Sequence, residues 1–399
     1  TGEMNYSDFF KMIPEASLVA ILIVLFVADF ATAKAEERKW FNPLASILLL
    51  LNTFVCLYPM DTQHLFGDMY VTSSAVNVMK AILSMGTFIV VVQSRTWAAK
   101  TGKEAEFYML IVSTLLGMFA MMSAGNFVMF FLGLEMASVP LACAVAFDMY
   151  RKNSAEAAAK FILTATFSSG VMLYGISFLY GQFGTLYFED IAVKMQATPL
   201  TVIGLVFFFS GLGFKISLVP FHFWTADTYQ GAPTTVTGYL SVISKGAAAF
   251  TLLSILFHVF GGMMEYWHVL LMIVVVLSIT IANLFAVRQN ELKRFMAFSS
   301  ISQAGYIMLA AIGNNWANSV AALSYYVLIY VVANMAVFTI ISVVEQNNGG
   351  KTDISDYNGF YQTNPRLSFL MTLAMFSLGG IPPFAGMFSK FFIFMSGVN

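Results

Sequence analysis

Ionisable side chains inside apolar stretches are the residues of this chain that stand out chemically. Glu135, Lys215 and Lys245 lie well inside long apolar segments, and Lys390 lies in the last one. An ionisable group near the centre of a bilayer costs roughly 2.5–3.5 kcal/mol on insertion scales, so its presence there indicates a function. Groups of this kind commonly form proton relays. We therefore interpret these four residues as a proton-transfer set.

A structural role is the alternative for part of this set. Glu135 and Lys215 could be an ion pair that only fastens two helices together, since an isolated charge is costly in a medium of low dielectric constant. A carboxylate among several lysines instead forms a coupled set, in which strengthening one contact releases a proton from the next. Ser or Thr would serve helix packing at lower cost, which favours the functional interpretation of Lys215 and Lys245.

Three further residues give weaker signals. Lys160 and Lys80 lie nearer to the ends of their segments, where a long side chain can snorkel to the interface, and we expect snorkelling for Lys80. Snorkelling is also the alternative for Lys390. His222, just past Pro220, could relay protons near neutral pH or be a hydrogen-bonded structural residue. We keep Lys160 and His222 as secondary candidates for proton transfer.

The composition is that of a helical membrane protein. Hydrophobic residues make up 59% of the 399 residues and charged residues only 10%, less than half the usual charged share of soluble domains. Apolar segments of about twenty residues, the length of a membrane-crossing helix, recur along the sequence. The period-2 alternation of membrane β-barrels is absent. We therefore predict an all-α integral membrane protein.

Composition also excludes several functions. A net charge of −1 argues against a nucleic-acid partner. Cys56 and Cys143 both fall inside apolar segments, so we expect no disulfide. The four histidines are scattered along the sequence, and no cluster typical of a metal site accompanies them. We expect neither a metal nor a cofactor site.

The apolar segments predict about twelve transmembrane spans. Their approximate ranges are 14–33, 41–58, 73–93, 105–123, 126–147, 155–180, 200–223, 233–260, 264–286, 294–313, 317–344 and 365–396. Loops after odd-numbered spans carry most of the basic residues, which are Lys34, Arg38, Lys39, Arg95, Lys100, Lys103, Arg151, Lys152, Arg288, Lys293, Arg294, Lys351 and Arg366. The opposite side carries only Lys11 and Lys194. By the positive-inside rule the N-terminus is external, in what we expect to be a bacterial inner membrane.

The first span raises the question of a signal peptide. The apolar run from about Ser17 to Phe30 precedes Ala31, Thr32 and Ala33, which resemble a signal-peptidase site. However, acidic residues precede the run and basic residues follow it, the reverse of a signal peptide. We therefore predict a retained span.

Two spans contain residues that break a helix. In span seven a Gly-Leu-Gly sequence leads to Pro220, and span twelve contains Gly-Gly-Ile-Pro-Pro from Gly379 to Pro383. Irregular backbone at membrane depth survives only when buried in protein or lining a wet cavity. Because the broken spans are five apart, a five-helix repeat that relates them must be inverted.

This repeat divides the chain into three parts. Residues 1–104 form N-terminal helices 1–3, residues 105–260 form the first repeat with helices 4–8, and residues 261–399 form an incomplete second repeat with helices 9–12. The second repeat lacks its last member. We therefore expect at least one further helix in the natural protein.

The segment from Gly213 to Pro233, GFKISLVPFHFWTADTYQGAP, resembles the signature of the antiporter-like membrane subunits of respiratory complex I. The similarity spans nearly the whole chain. Supporting stretches are Gly133 to Pro140, Ser241 to Lys245, Leu292 to Tyr306 and Gly379 to Lys390. The chain departs from the family pattern at its termini, because the final helices and an initiator methionine are missing.

The resemblance implies a fold of about fourteen helices in full, with two inverted five-helix repeats and a proton path along the membrane midplane. It matches Glu135 and Lys215 to the family's glutamate of span five and lysine of span seven. Lys245 matches the linking lysine of span eight, Lys390 the terminal residue of span twelve, and Lys160 a recurrent lysine of span six. The resemblance thus implies a proton-translocating subunit of a quinone-reducing enzyme, with no redox chemistry of its own.

The resemblance also implies partners. NADH, flavin, iron–sulfur clusters and quinone are expected in partner subunits, and other membrane subunits, including sister antiporter-like subunits, are expected beside this chain. Two other functions remain open. One is a subunit of a multisubunit sodium/proton antiporter, which Lys245, where true antiporter subunits often have His, disfavours. The other is a scaffold without transport, whose ion pairs only hold helices together.

Overall fold

The computed structural model describes residues 5–34 and 38–398. The predicted N-terminal part begins at residue 1, and residues 1–4 lie outside the described residues. Its described elements are α1 (Asp8–Lys11), α2 (Ile13–Ala31), α3 (Phe41–Leu57), β1 (Gln63–Leu65), β2 (Tyr70–Thr72), α4 (Ser74–Gln93) and α5 (Arg95–Thr101). The two short strands pair antiparallel, with His64 opposite Val71.

The middle of the chain is helical. Its elements are α6 (Glu104–Met122), α7 (Phe127–Val145), α8 (Lys152–Phe183), α9 (Phe188–Lys194), α10 (Pro199–Ile216), α11 (Thr225–Gly231), α12 (Thr234–Tyr239) and α13 (Lys245–His258). A π-helical turn over Leu240–Ser244 joins α12 to α13. Such wide turns inside α-helices are frequent at functional sites.

The last part contains α14 (Met264–Ala286), α15 (Leu292–Met308), α16 (Trp316–Asn347), α17 (Phe360–Thr363), α18 (Pro365–Gly379) and α19 (Ala385–Val398). Short 3₁₀ turns cover Gly261–Met263, Leu309–Ile312 and Ile354–Tyr357. Helices α8 and α16, the counterparts of each other in the predicted repeats, both contain 32 residues.

Within the described residues, 10 helices are long and apolar enough to cross a membrane. Each predicted span coincides with one of them, with the shorter apolar helix α3, or with the pair α18 and α19. The prediction of an all-α membrane protein is confirmed. The number of spans stays a prediction.

Polar residues at helix starts set several of the boundaries. The Asn126 side chain accepts a hydrogen bond from the Val128 N–H at 2.8 Å, at the start of α7. At the start of α10, Thr198 and Thr201 form a reciprocal capping box. Side-chain oxygens at these positions satisfy N–H groups that have no partner inside the helix.

Both predicted breaks are present and have the same geometry. Helix α10 ends at Ile216 and is followed by Ser217 with φ 68°, whereas α18 ends at Gly379 and is followed by Gly380 with φ 77°. A left-handed residue that closes a helix in this way is the hallmark of a Schellman turn. The break in span seven begins after Ile216, several residues before the predicted end of that span.

The same backbone hydrogen bonds close both turns. The Leu218 N–H donates to the Gly213 carbonyl at 2.9 Å, and the Ile381 N–H donates to the Phe376 carbonyl at 3.0 Å. Each break also contains one cis X–Pro bond. The two interrupted helices are therefore matched in backbone geometry.

The segment Thr234–His258, which includes α12, the π-helical turn and α13, occupies the centre of the bundle. It is 89% buried over its most apolar window, compared with 28% for α8. Lys245 is the first residue of α13 and is fully buried. The fold thus places this lysine in the most enclosed of the long helices.

Candidate functional site

Lys245 contacts neutral oxygens rather than a carboxylate. Its Nζ donates a hydrogen bond to the Ser300 carbonyl oxygen at 2.8 Å and another to the Ser300 hydroxyl. Ser300 lies on α15, which packs against α13. No ion pair to Lys245 is found among residues 5–34 and 38–398. Its ammonium form would therefore be a buried charge without a countercharge.

Ser300 is the hub of a cluster of buried polar groups. Its hydroxyl receives a hydrogen bond from the Tyr330 hydroxyl at 3.2 Å and lies 3.5 Å from the Tyr229 hydroxyl. It donates weakly, at 3.4 Å, to the carbonyl of Ser241, which lies in the π-helical turn. The Ser241 hydroxyl in turn accepts a hydrogen bond from Asn334 at 2.6 Å. Through Ser300, Lys245 thus adjoins a group of neutral hydroxyl and amide side chains.

Lys390 lies beside the break in the last span. Its Nζ donates to the Leu378 carbonyl at 3.0 Å, across the interruption between α18 and α19. It also lies 4.4 Å from the centre of the Tyr306 ring, within the range of a cation–π interaction. The carbonyl end of a helix attracts positive charge. The break therefore provides an acceptor for Lys390 without a carboxylate.

A small cavity lies between the Lys390 site and the Lys245 cluster. Its volume is about 10 Å³, and its polar lining includes Lys390, Tyr326, Tyr330, Gln303 and Ser389. This is about the minimum volume for one water molecule. Tyr330 is common to both sites, because it lines this cavity and also donates to Ser300.

Glu135 and Lys215 lie near one another without forming a direct ion pair. The Lys215 Nζ donates instead to the Ser138 hydroxyl at 3.2 Å, one turn beyond Glu135 on α7. Oε1 of Glu135 is buried and has no hydrogen-bond partner in the described part of the chain. The carboxylate still interacts electrostatically with Lys215. The expected pair is therefore a through-space interaction.

Within the described residues, no hydrogen bond joins the Lys215 site to the Lys245 cluster. Lys215 is the next-to-last residue of α10, whereas Lys245 begins α13, and these helices pack directly against each other. Between Lys245 and Lys390, by contrast, Tyr330 bonds to Ser300 and also lines the cavity beside Lys390. The structure links Lys215 to Lys245 only through helix packing.

Lys160 belongs to a partly exposed ionic cluster. Its Nζ lies 2.8 Å from carboxylate oxygens of both Glu156 and Asp227, and its side chain is 43% exposed. Arg294 donates to the other Asp227 oxygen at 2.7 Å. Burial alone would raise the pKa of Asp227, but the hydrogen bonds from Lys160 and Arg294 outweigh it and hold that pKa below its ordinary value. Lys160 is thus tied to carboxylates at a helix end.

His222 lies in the break after α10. Its ring is 4.5 Å from the Phe223 ring, and its Nδ1 is buried without a hydrogen-bond partner among the described residues. The hydrogen bonds of Lys215 and Lys245 go to Ser138 and Ser300 instead. The structure therefore does not join His222 to the lysine line by hydrogen bonds.

Comparison with known proteins places this arrangement in a family. The family model described as "NADH:quinone oxidoreductase/Mrp antiporter, TM" matches residues 124–399, which is more than half of the chain. The chain belongs to this family. The matched region contains Lys215, Lys245 and Lys390 together with both broken spans.

Individual members of the quinone oxidoreductase/antiporter family are also similar. NADH-quinone oxidoreductase subunit N from Phocaeicola vulgatus is 58% identical, over 99% of this chain and 84% of the relative. A chain of respiratory complex I from Thermus thermophilus with bound aureothin has a TM-score of 0.80 and 28% identity, over 96% of this chain and 82% of that chain. A chain of the Mrp complex from Dietzia sp. DQ12-45-1b has a TM-score of 0.79 at 19% identity, over 96% and 74%. This last likeness shows a shared fold.

One residue outside the matched region contradicts the sequence analysis. The expectation that Lys80 snorkels is wrong, because Lys80 is fully buried and its Nζ lies 2.6 Å from Oε1 of Glu15. The Tyr70 hydroxyl donates to the other Glu15 oxygen at 2.9 Å and accepts from Lys80 at 3.2 Å. The Glu15 carboxylate on α2 pairs with Lys80 among the N-terminal helices, so the Lys80 side chain does not extend to the membrane interface.

Sequence reasoning missed the neutral members of the candidate site. Ser138, Ser300, Gln303 and Tyr330 carry no charge, so a search for ionisable residues in apolar spans passes over them. Residues 299–303 of α15 have the sequence Ser-Ser-Ile-Ser-Gln, which is unusually polar for a span. That run was the available signal for the Ser300 cluster, since buried polar side chains need partners.

Proposed function

We propose that this chain is the proton-translocating membrane subunit N of a respiratory NADH–quinone oxidoreductase, and that Lys245 and Lys390 carry the proton. The similarity to subunit N over almost the entire chain supports membership of that enzyme. The observation that carries the proton-transfer role is the buried Lys245 amine, whose hydrogen-bond partners among the described residues are neutral oxygens of Ser300. Ser300 contacts Tyr330, which lines a cavity that Lys390 also lines.

Neutral partners allow Lys245 to change its protonation state. A buried ammonium without a countercharge is costly, whereas a neutral amine is not. Ser300 can accept a hydrogen bond from an ammonium or donate one to an amine, because a hydroxyl does both. Lys245 can therefore take up a proton from the cytoplasmic side and release it again.

The distance between Glu135 and Lys215 sets the free energy of the charged form of Lys245. A change in the distance between them alters the field at α13, which packs directly against α10. When the field disfavours the ammonium, the proton leaves Lys245 for Lys390 and then the outer side. Moving one charge against the membrane potential requires about 2.3 kcal/mol per 100 mV. A change in one close charge pair in a protein interior is of this order or larger.

The energy for this step comes from partner subunits. NADH, flavin, iron–sulfur clusters and quinone belong to those partners, and this chain contributes no redox group. Sister antiporter-like subunits adjoin it in the membrane. Lys160 and His222 have secondary roles, in which Lys160 and its ionic cluster would feed protons toward the buried line.

Topology and internal symmetry complete the proposal. The excess of Lys and Arg in odd-numbered loops supports an external N-terminus in a bacterial inner membrane. The matched Schellman turns that end α10 and α18 support an inverted repeat of residues 105–260 and 261–399, after N-terminal helices in residues 1–104. The interrupted helices then lie on the proton path in both repeats.

Substitution of the buried lysines in the assembled enzyme tests the function. Lys245→Met and Lys215→Ala should each abolish most NADH-driven proton uptake in sealed proteoliposomes, while the subunit still assembles. Lys194→Met, which removes an exposed lysine, is the matched control and should pump like the wild type. Pumping at the wild-type proton-to-NADH ratio in Lys245→Met would contradict the proposal.

The same proteoliposomes separate this function from sodium/proton exchange. A redox-driven proton subunit pumps equally in sodium and in potassium buffer and needs NADH. An exchanger moves protons in response to a sodium gradient without NADH. Sodium-driven proton flux that Lys245→Met abolishes would replace the proposed function by exchange.

A further inference from the structure

We propose that the Tyr330 hydroxyl and a single water molecule carry the proton between Lys245 and Lys390. This inference rests on the proposed function and assigns roles to Ser300, Tyr330 and the 10 Å³ cavity. Tyr330 is 3% exposed and lies on α16, between the helices that hold the two lysines. Its hydroxyl contacts the Ser300 hub, and its side chain lines the cavity beside Lys390.

The other polar groups around Lys390 do not offer a route for a proton. Gln303 donates to the Leu378 carbonyl at 3.0 Å and accepts from the Tyr326 hydroxyl, and Lys390 donates to the same carbonyl. A backbone carbonyl has no proton to hand on, and a side-chain amide does not readily gain or lose one. Tyr326 is therefore held by an amide, whereas Tyr330 has its hydroxyl on Ser300 and also lines the cavity beside Lys390.

The cavity supplies the missing step. About 10 Å³ is room for one water molecule, provided that it finds two to four polar partners. Lys390, Tyr330 and Ser389 line the cavity and can supply them. A water molecule there would accept a hydrogen bond from Tyr330 and donate one to a neutral Lys390 amine. The line is then continuous from one lysine to the other.

One transfer moves one proton and leaves every other group neutral. The Lys245 ammonium gives a proton to the Ser300 oxygen as the Ser300 hydroxyl proton passes to the Tyr330 oxygen. The Tyr330 phenolic proton passes to the water, and a proton of that water passes to the Lys390 amine. Each O–H bond that breaks is replaced by one that forms. Before the transfer, Ser300 must turn its hydroxyl proton away from the Ser241 carbonyl, which it contacts weakly at 3.4 Å. Tyr330 must likewise turn its phenolic proton from Ser300, to which it donates at 3.2 Å, toward the water.

Tyr330→Phe is the direct test, and Tyr239→Phe is its matched control. Both tyrosines are buried, but the Tyr239 hydroxyl contacts Thr114 at 2.7 Å and Tyr239 does not line the cavity. We expect Tyr330→Phe to slow NADH-driven proton uptake at least about tenfold, since a positioned proton donor contributes 10²–10⁴-fold. Tyr239→Phe should pump like the wild type. Wild-type pumping in Tyr330→Phe would overturn the relay.

A second variant addresses the water without touching any hydroxyl. Ala333 lines the same cavity, and Ala333→Val adds two methyl groups that leave no room for a water molecule. Proton uptake should again fall at least about tenfold, whereas Ala333→Ser, which keeps the site small and polar, should retain it. Wild-type pumping in Ala333→Val would exclude the water molecule from the path.

The outcomes distinguish the relay from the function on which it rests. If Lys245→Met loses pumping while Tyr330→Phe and Ala333→Val keep it, the lysine line stands and the relay is wrong. If Lys245→Met itself pumps, the proposed function fails. If Tyr330→Phe acts only by disturbing the structure, thermal stability falls and the slowing of proton uptake in D₂O stays at the wild-type value. If the substitution interrupts the relay, proton transfer limits the rate, and the slowing in D₂O is larger than in the wild type.

Discussion

The chain contains two fully buried lysines in opposite surroundings. In the N-terminal helices, Lys80 lies 2.6 Å from a Glu15 oxygen, and Tyr70 bonds to both side chains. At the centre of the bundle, the Lys245 amine hydrogen-bonds to the hydroxyl and the carbonyl of Ser300 and has no ion-pair partner among the described residues. Both amines are completely shielded from solvent. The difference lies in the countercharge.

The countercharge decides what each lysine can do. Removing one partner of a buried ion pair leaves the other charge buried and unpaired, so Lys80 and Glu15 each stabilise the charged form of the other. Lys245 is not held in its charged form in this way, because the Ser300 hydroxyl can hydrogen-bond to either a neutral amine or a charged ammonium. Burial alone therefore does not mark a proton carrier. A buried lysine with neutral partners is the arrangement suited to transfer.

Breaking the Glu15–Lys80 pair should have the largest effect on stability. Lys80→Met strands a buried carboxylate, and we expect a loss of about 3–5 kcal/mol in the free energy of unfolding. Thermal denaturation of the purified complex, followed by retention of this subunit, measures it. The double variant Glu15→Leu, Lys80→Met should recover most of the loss, since no charge is left alone. Equal instability of the single and double variants would contradict the ion-pair explanation.

Giving Lys245 a carboxylate partner should hold it in its charged form, as Glu15 does for Lys80. Ser300→Asp places a carboxylate where the hydroxyl now lies, and a charge-assisted hydrogen bond of about 1.5–3 kcal/mol would hold the proton on Lys245. We expect proton uptake to fall about 10- to 100-fold while the subunit still assembles. Ser300→Thr, which keeps the hydroxyl, is the control. Normal pumping in Ser300→Asp would show that the countercharge does not matter.

Tyr70→Phe sharpens the comparison at the N-terminal site. The substitution leaves the ion pair in place but removes the 2.9 Å hydrogen bond to Glu15. A buried acceptor that loses its donor costs about 1–3 kcal/mol, so the variant should be less stable by that amount and should pump normally. Thermal denaturation and proton uptake, measured on the same preparation, test both statements. A loss of pumping would connect this pair to proton transfer.

The partly exposed cluster at Asp227 should matter least. Asp227 is 38% exposed, and exposed ion pairs are worth about 0–1 kcal/mol, so Asp227→Asn should cost no more than that. Because interactions in the folded protein lower the pKa of Asp227 below its ordinary value of 3.8, their stabilisation is complete above that pH. It is lost as the pH falls through the lowered value. The stability difference between wild type and variant should therefore shrink only below about pH 4.

Hydropathy and helix breakers made most of the fold predictable. Spans were visible because a membrane helix needs about twenty apolar residues, and the interruptions at Pro220 and at Gly379 to Pro383 were visible because those residues cannot continue a helix. Glu135, Lys215, Lys245 and Lys390 were found because a charge is rare in such segments.

Contacts that depend on tertiary packing were not predictable. Glu15 lies 65 residues before Lys80, so nothing in the local sequence announces that they meet. Ser300 and Tyr330 resemble ordinary packing residues until the fold brings them to a lysine. The π-helical turn before Lys245 also left no sequence signal, because Leu240–Ser244 reads as ordinary helix.

Helix α18 ends in a carbonyl group shared by two donors. Gln303 and Lys390 both bond to the Leu378 oxygen, each at 3.0 Å. Departure of the amine leaves that oxygen still occupied by the amide, so no orphaned acceptor penalises the movement. The Lys390 amine can therefore leave the helix end for the loss of one hydrogen bond and its contact with the Tyr306 ring. Under the proposed function, this low cost of detachment is what a lysine needs if it is to receive a proton from the inner side and release it on the outer side.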